Sequence, residues 1–304
     1  MAKLFATLGA IAALNAGPVT AQDAEQAAPS EEIVVVGEPE EDAVRNLVGK
    51  VTRGARVDKP IGRFQDPVCV KVVGMPESAA AVIAERIGQN VEAVGADVAA
   101  PECQPNALVA FTNDAGGELI RLREEEPWIF HDMREHEFER IGAENDGARA
   151  WHTMMTRDRY GRPLQRVRYV IELPLGGRRE FEADEIVESE ASRIRTPISM
   201  ELTNAVVLID LAHVEGKTFR QLADYATFRI LASSGSEGMD EGGSIPSIIT
   251  LFESGSTPPA GMTTFDIAYL TALYDLSYHA RHTALQNATL RRYRELMQAE
   301  RLPR

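Results

Sequence analysis

Apolar residues in the first half of the chain change from strand spacing to helical spacing and back. Residues 66–74 and Leu108–Thr112 each carry a short run rich in β-branched and aromatic side chains. Residues 75–96 lie between them and repeat apolar side chains at helical intervals. These side chains are Val82, Ile83, Ile87, Val91 and Val94. A strand, a helix and a strand in this order predict a βαβ unit with parallel strands.

The middle of the chain carries three more strand patterns. Residues 148–156 and 165–173 predict strands joined by a turn at 157–164, and residues 204–216 form the strongest strand pattern of the chain. Residues 176–195 are charged and predict an excursion without a regular element.

Helical patterns dominate the last third of the chain. Residues 217–234 predict an amphipathic helix, and further helices are expected at 244–254, 262–276 and 283–300. The glycines of residues 234–244 predict a flexible loop. Shorter helices are predicted at 41–48, 114–130 and 131–141.

The order of these elements predicts an α/β (α+β) fold, in which a mixed sheet with a βαβ unit precedes a helical C-terminal portion. Four segments are expected. They are a signal peptide at 1–21, a flexible N-terminal segment at 22–65, a mixed α/β sheet region at 66–215 and a helical portion at 216–304.

The first segment has the pattern of a secretory signal peptide. Lys3 supplies a basic start, Leu4–Leu14 form an apolar run, and Val19–Ala21 provide small residues suited to cleavage before Gln22. The apolar run is far shorter than the ~20 residues that a bilayer-spanning helix needs. We therefore expect an exported protein, periplasmic or secreted, with no membrane span in the mature chain.

The overall charge narrows the class of partner. The 304 residues include 46 acidic and 32 basic ones, which gives a formal net charge of −14. Nucleic acids and anionic lipid surfaces are bound through basic patches, so neither is expected as the main partner.

The two cysteines of the chain are Cys69 and Cys103. They lie near the same end of the two neighbouring parallel strands of the predicted βαβ unit. In an exported protein an even cysteine count favours a disulfide. The alternative is a pair of buried free thiols.

The motifs of well-known catalytic and metal sites are missing from the sequence. There is no G-x-S-x-G, no P-loop and no G-x-G-x-x-G motif. Residues 136–140, HEFER, approach the zinc motif H-E-x-x-H but end in Arg140, which cannot bind zinc. The spacing of His279 and His282 could put both rings on one helix face, but no third ligand is in view, so a surface pair is favoured. No catalytic residue, metal ligand or cofactor is assigned from the sequence.

The element order resembles a group of uncharacterised exported bacterial proteins whose C-terminal halves are similar to degenerate zinc-peptidase (zincin-like) domains. The resemblance covers residues 66–278 and rests on AVVLIDLAHVEG, FRQLADYATFRIL, SIPSIITLFE and MTTFDIAYLTALYD. In active members the helix after the strong strand carries H-E-x-x-H. Here Ala223, Asp224 and Thr227 stand in place of the first His, the Glu and the second His. The resemblance therefore implies a pseudo-enzyme without a metal.

The resemblance also implies that the former catalytic cleft serves as a binding groove. Its candidate lining residues are Trp151, His213, Asp224, Tyr225 and Arg229. The alternative is that the side chains on the helix pack and solvate it without a binding role. A hydrolase with an unorthodox site near Asp224 is kept as a second hypothesis for the function.

Residues 31–37, EEIVVVG, resemble the TonB box of TonB-dependent outer-membrane receptors, a short extended segment that adds a strand to the protein TonB. The candidate partner strand consists of Ile33, Val34, Val35, Val36 and Gly37. β-Branched residues favour the extended backbone that strand addition needs. The chain lacks the plug and barrel of a receptor, and an edge strand docked on the protein's own sheet is the alternative.

The sequence thus predicts an exported envelope protein with a binding or scaffolding role. The expected partner is an envelope protein or a small ligand, with a TonB-type protein as one hypothesis.

Overall fold

Helices and strands alternate through most of the chain. The computed structural model describes residues 40–52, 59–130, 133–144, 147–172, 177–185, 197–234, 245–253 and 257–301. The strands are β1 (Val70–Val73), β2 (Ala107–Thr112), β3 (Ala148–Asp158), β4 (Gln165–Glu172), β5 (Arg178–Glu185) and β6 (Ile198–Asp210). The helices are α1 (Glu40–Val51), α2 (Glu77–Ala93), α3 (Ala115–Glu125), α4 (Glu135–Ala143), α5 (Phe219–Leu231), α6 (Thr264–Asp275) and α7 (His282–Arg301). None of the helices in these ranges combines the length and the apolar character needed to cross a bilayer.

Four strands form one mixed sheet in the order β1-β2-β6-β3. β1, β2 and β6 are parallel to one another, and β3 runs antiparallel to β6 at the end of the sheet. Helix α2 connects β1 to β2, so the predicted βαβ unit is confirmed. The predicted mixed α/β class is confirmed with it.

Helices cover both faces of this sheet. On one face, Val109, Val207 and Ile209 belong to the larger apolar core together with residues of α2 and α5. On the other face, Trp151 and Leu208 pack with residues of α3 and α4. Central strands buried on both faces carry nearly continuous apolar runs, which explains the strong strand pattern that the sequence shows in β6.

Helix α5 is the central helix of the larger layer. Every residue from Gln221 to Leu231 is buried, because α5 is packed between the sheet, α2 and α6. Helices α6, α7 and α1 extend this layer. Arg45 of α1 donates a hydrogen bond to Asn287 of α7 across 2.7 Å. The buried face of α1 belongs to the larger apolar core, so this helix joins the core although it lies within the predicted N-terminal segment 22–65.

Cys69 and Cys103 form a disulfide, with their Cα atoms 6.0 Å apart. It joins the residue before β1 to the loop before β2. The predicted bridge is confirmed. The two cysteines lie, as predicted, near the same end of the neighbouring strands β1 and β2.

The charged stretch of residues 176–195 needs correction, because part of it is a strand. β5 pairs with β4 as a separate antiparallel ribbon, and Tyr169 stacks on Phe181 with ring centroids 5.6 Å apart. Nearly every residue of the ribbon is exposed on both faces, so charged side chains are compatible with strand structure here.

Two further boundaries differ from the sequence prediction. β6 begins at Ile198 and ends at Asp210, where a 3₁₀ turn at Leu211–His213 follows. The helix expected at 244–254 is a 3₁₀ turn at Ile248–Thr250. Ser247 precedes this turn, and its hydroxyl binds the Ile249 N–H at 3.4 Å and the Asp266 carboxylate at 2.5 Å. These side-chain bonds favour a turn over a regular helix.

Candidate functional site

A groove with a volume of about 920 Å³ runs along β3. Seven consecutive residues, Trp151–Arg157, line it. Successive side chains of a strand point to opposite faces, so a cavity that reaches all seven lies along the edge of the strand. We call this cavity the β3 groove. Its other walls are the segment 59–62, the residues from Met133 to Ile141 around α4, and the start of the β4–β5 ribbon.

The edge of β3 beside the groove carries backbone groups directed away from the sheet. β3 is the end strand, and β6 is its neighbour from Ala148 to Asp158. At the far end, Arg157 forms a bridge with Pro163. Along Thr153–Thr156, the backbone hydrogen bonds among the described residues run only toward β6. An edge strand of this kind is a template for pairing with another chain.

Four methionines give the groove an adaptable apolar surface. They are Met133, Met154, Met155 and Met200. The thioether side chain is unbranched and polarisable, and it adapts to ligands of different shape. Threonine hydroxyls of Thr153, Thr156 and Thr203 lie among them, so the lining offers apolar and hydrogen-bonding contacts together.

Trp151 brings an unsatisfied donor to the groove wall. Its side chain is only 2% exposed and its ring stacks on Phe130, with centroids 5.2 Å apart. The indole Nε1–H finds no acceptor among the described residues. A buried donor left unpaired costs about 1–3 kcal/mol, and an acceptor brought by a ligand removes this cost.

The groove is cationic in an acidic protein. Its lining includes five cations and two acids, namely Lys59, Arg134, Arg140, Arg157, Arg166, Glu137 and Asp184. Arg134 donates to Glu137 across 2.6 Å. Partial burial opposes ionisation of Glu137, but the hydrogen bonds from Arg134 outweigh it and lower the pKa of this carboxyl. Arg157 pairs with Glu201, which lies outside the lining. Even with Glu201 counted, positive side chains outnumber negative ones.

Among the five candidate cleft residues, only Trp151 lines the β3 groove. Asp224, Tyr225 and Arg229 are fully buried on α5. His213 is exposed on the 3₁₀ turn after β6, where its ring packs close to Gly147. The structure therefore brings three of the five together in the core of the protein, not on an open surface.

The Asp224 carboxylate is enclosed by its own hydrogen bonds. Arg86 Nε and Asn90 Nδ2 donate to Oδ1 at 2.9 and 2.7 Å, and the Met262 N–H donates to Oδ2 at 2.9 Å. Thr227 accepts from the same Asn90 side chain at 3.0 Å. Asp224 therefore joins α5 to α2 and to the residues before α6, and these contacts stabilise the fold.

The candidate histidines lie in separate places. His152 faces α5 from β3, and its Nε2 bonds the Ile230 carbonyl at 3.0 Å. His279 and His282 are half-buried around the start of α7, where burial lowers the pKa of His282. Within the described ranges, no three His, Cys, Asp or Glu side chains are placed to hold a metal ion together.

The signal peptide and the candidate partner strand Ile33–Gly37 lie outside the described residues. The expectations for cleavage and for a TonB-type partner therefore remain predictions.

Sequence reasoning missed the groove itself. Its walls come from residues far apart in the chain, such as Gly62, Ile141 and Met200, and no local pattern links them. One signal was available, since residues 148–156 carry both Trp151 and two adjacent methionines on a predicted strand.

Comparisons with known proteins give no relative for this fold and groove. No family model matches the chain, and searches of curated proteins and of solved structures found no similar one.

Proposed function

We propose that this chain is an exported binding protein of the cell envelope and that the β3 groove is its ligand site. The observation that carries the proposal is the groove of about 920 Å³, at whose wall the buried Trp151 N–H has no acceptor among the described residues. Ligand sites of proteins are clefts of about 300–1,000 Å³ lined by apolar side chains with a few polar groups. The methionine and threonine lining of the β3 groove has this character.

Export is supported by two independent features. The N-terminal sequence has the pattern of a cleaved signal peptide. The disulfide between Cys69 and Cys103 fits an oxidising compartment.

A binding role without catalysis near Asp224 is supported by the contacts of α5. The Asp224 carboxylate has no exposed surface and accepts hydrogen bonds from Arg86, Asn90 and Met262. Thr227, at the position of a zinc ligand in active zincin-like proteins, donates its hydroxyl to the Ala223 carbonyl at 2.8 Å. These groups stabilise the packing of α5, which fits the pseudo-enzyme interpretation.

Fluorescence of Trp151 tests the proposed site. The chain has two tryptophans, and Trp128→Phe leaves Trp151 as the only one. The probe is anilinonaphthalene sulfonate, an apolar anion that accepts energy from tryptophan. We expect saturable quenching of Trp151, and we expect Thr156→Phe to abolish it by filling the groove.

Val82→Phe is the matched control, because Val82 is exposed on α2, away from the groove. The control is expected to bind the probe like the parent chain. A titration without saturation, or equal binding by Thr156→Phe, contradicts the proposed site.

A further inference from the structure

We propose that the ligand of the β3 groove is an extended acidic peptide segment of a partner protein, which adds to β3 as a new edge strand. This inference rests on the proposed function, because it names the ligand class of the same groove. Three properties of the groove carry it, namely its course along a strand edge, its charge, and the backbone groups of β3 that have no backbone partner among the described residues.

The course of the groove fits an extended chain. The groove follows β3 from Trp151 to Arg157, which is about 23 Å of strand at about 3.3 Å per residue. A compact small molecule is too short to contact the strand edge over this whole length. A peptide of about seven residues in the extended state makes such contacts along its whole length.

The backbone of β3 supplies the pairing groups. Within an antiparallel pair, alternate residues direct their N–H and C=O groups away from the neighbouring strand. Along Thr153–Thr156 the backbone groups on that side have no backbone partner within the part of the chain that the structure describes. An added strand satisfies these groups, and main-chain hydrogen bonds then provide affinity independently of the peptide sequence.

The side chains around this edge select the composition of the peptide. Met154 and Met155 follow each other on β3 and therefore point to opposite faces. They offer apolar contacts to alternate side chains of an added strand. The cationic excess of the lining, which includes the exposed Lys59 and Arg166, favours acidic residues in the peptide. The net charge of −14 on the whole chain makes this local positive potential selective, because acidic partners are repelled elsewhere.

Binding of synthetic peptides to the full mature chain tests the inference. The probe is a fluorescein-labelled heptapeptide of alternating valine and glutamate, and fluorescence anisotropy measures its affinity. A heptapeptide of alternating valine and lysine is the charge control. We expect the lysine peptide to bind at least about tenfold more weakly, and the difference to shrink in high salt, which screens exposed charges.

N-Methylated peptides separate strand addition from other modes of binding. Methylation of all valine nitrogens blocks one edge of the extended peptide, and methylation of all glutamate nitrogens blocks the other edge. We expect one of these two peptides to lose at least about tenfold in affinity and the other to retain most of it. Equal affinities for the parent and both methylated peptides overturn the inference.

Charge reversal in the groove provides the matched protein variants. Lys59→Glu is expected to weaken binding of the glutamate peptide about fivefold or more. Lys71→Glu makes the same charge change on β1, at the opposite end of the sheet, and is expected to leave the affinity unchanged. Equal effects of the two variants contradict a site at β3.

The outcomes distinguish this inference from the proposed function. If anilinonaphthalene sulfonate quenches Trp151 but no peptide binds, the groove is still a ligand site, and the proposal that its ligand is a peptide is contradicted. Concentration-dependent dimers that pair through β3 identify a second copy as the occupant and also overturn it. If neither the dye nor the peptide binds, the proposed function is contradicted as well.

Discussion

Arg229 donates a hydrogen bond to Glu144 across 3.1 Å in the interior of the protein. Both side chains are almost completely removed from solvent, at 0% and 1% exposure. The pair links α5 to the residue that follows α4, and α4 forms one wall of the β3 groove. Arg229 also donates to the hydroxyl of Tyr225 at 2.8 Å, so two of the candidate cleft residues help to hold this wall.

Removal of one member of the buried pair is expected to destabilise the fold strongly. Arg229→Met removes the guanidinium that pairs with the buried Glu144 carboxylate, and breaking a buried ion pair costs about 3–5 kcal/mol. The double variant Arg229→Met with Glu144→Leu is expected to lose less, because neither charge remains buried. Urea unfolding of the two single variants and the double variant measures the coupling. Arg121→Met, in an exposed pair with Glu118, is the control and is expected to cost far less. Strictly additive losses contradict the coupling.

Asp266 is expected to give stability a distinct dependence on pH. Its carboxyl is fully buried in the first turn of α6, where burial raises its pKa to about 6 against hydrogen bonds from Ser247, Thr263 and the Ile248 N–H. The unfolded chain loses this proton near pH 4. Between about pH 4 and pH 6 the folded state therefore holds a proton that the unfolded state has released, and the free energy of unfolding falls as pH rises.

The matched variant for this effect is Asp266→Asn, which cannot titrate. We expect the stability of the parent chain relative to this variant to fall by about 2 kcal/mol between about pH 4 and about pH 7. Chemical unfolding at several pH values measures the difference. A difference that is constant, or that grows with pH, contradicts the raised pKa.

Loss of the disulfide is expected to lower stability without changing the fold. The bridge joins residues 34 positions apart, and closure of such a loop stabilises a protein by about 3–4 kcal/mol in the chain-entropy account. Cys69→Ser with Cys103→Ser is expected to show this loss, as is the parent chain under reducing conditions. Thiol labelling of the unfolded, unreduced parent chain is the check, and two free thiols per chain would refute the bridge.

The exported form is expected to begin at or near Gln22. Small residues at Val19–Ala21 follow the apolar run, which is the pattern that signal peptidase cleaves. N-terminal sequencing of the protein from the envelope fraction decides this point. An exported chain that retains Met1 contradicts the prediction.

The βαβ unit and its disulfide follow directly from the sequence. The helical spacing of Ile83, Ile87 and Val91 determines which face of α2 is buried, and the flanking β-branched runs determine the strands. These elements are local and their patterns match their burial. Two cysteines at equivalent ends of the strands then have one natural pairing.

The complete burial of α5 could not be predicted from the sequence. Its sequence has an amphipathic pattern, with Asp224 and Arg229 suggesting a face open to solvent. In the structure α5 is buried on all sides, and these two charges are paired with Arg86 and Glu144 from other elements. Such pairing depends on tertiary contacts, which single-chain periodicity does not contain. The same reason explains why the residues of the β3 groove were not assembled from the sequence.

Amide hydrogen exchange of β3, with and without the valine–glutamate peptide, tests the central claim most directly. Strand addition protects amides that point away from the neighbouring strand. We predict slower exchange at alternate residues within Thr153–Thr156 when the peptide is bound, and no change on β1 at the opposite edge of the sheet. Unchanged exchange along β3 at saturating peptide, or equal slowing on β1 and β3, contradicts a binding site at the β3 groove.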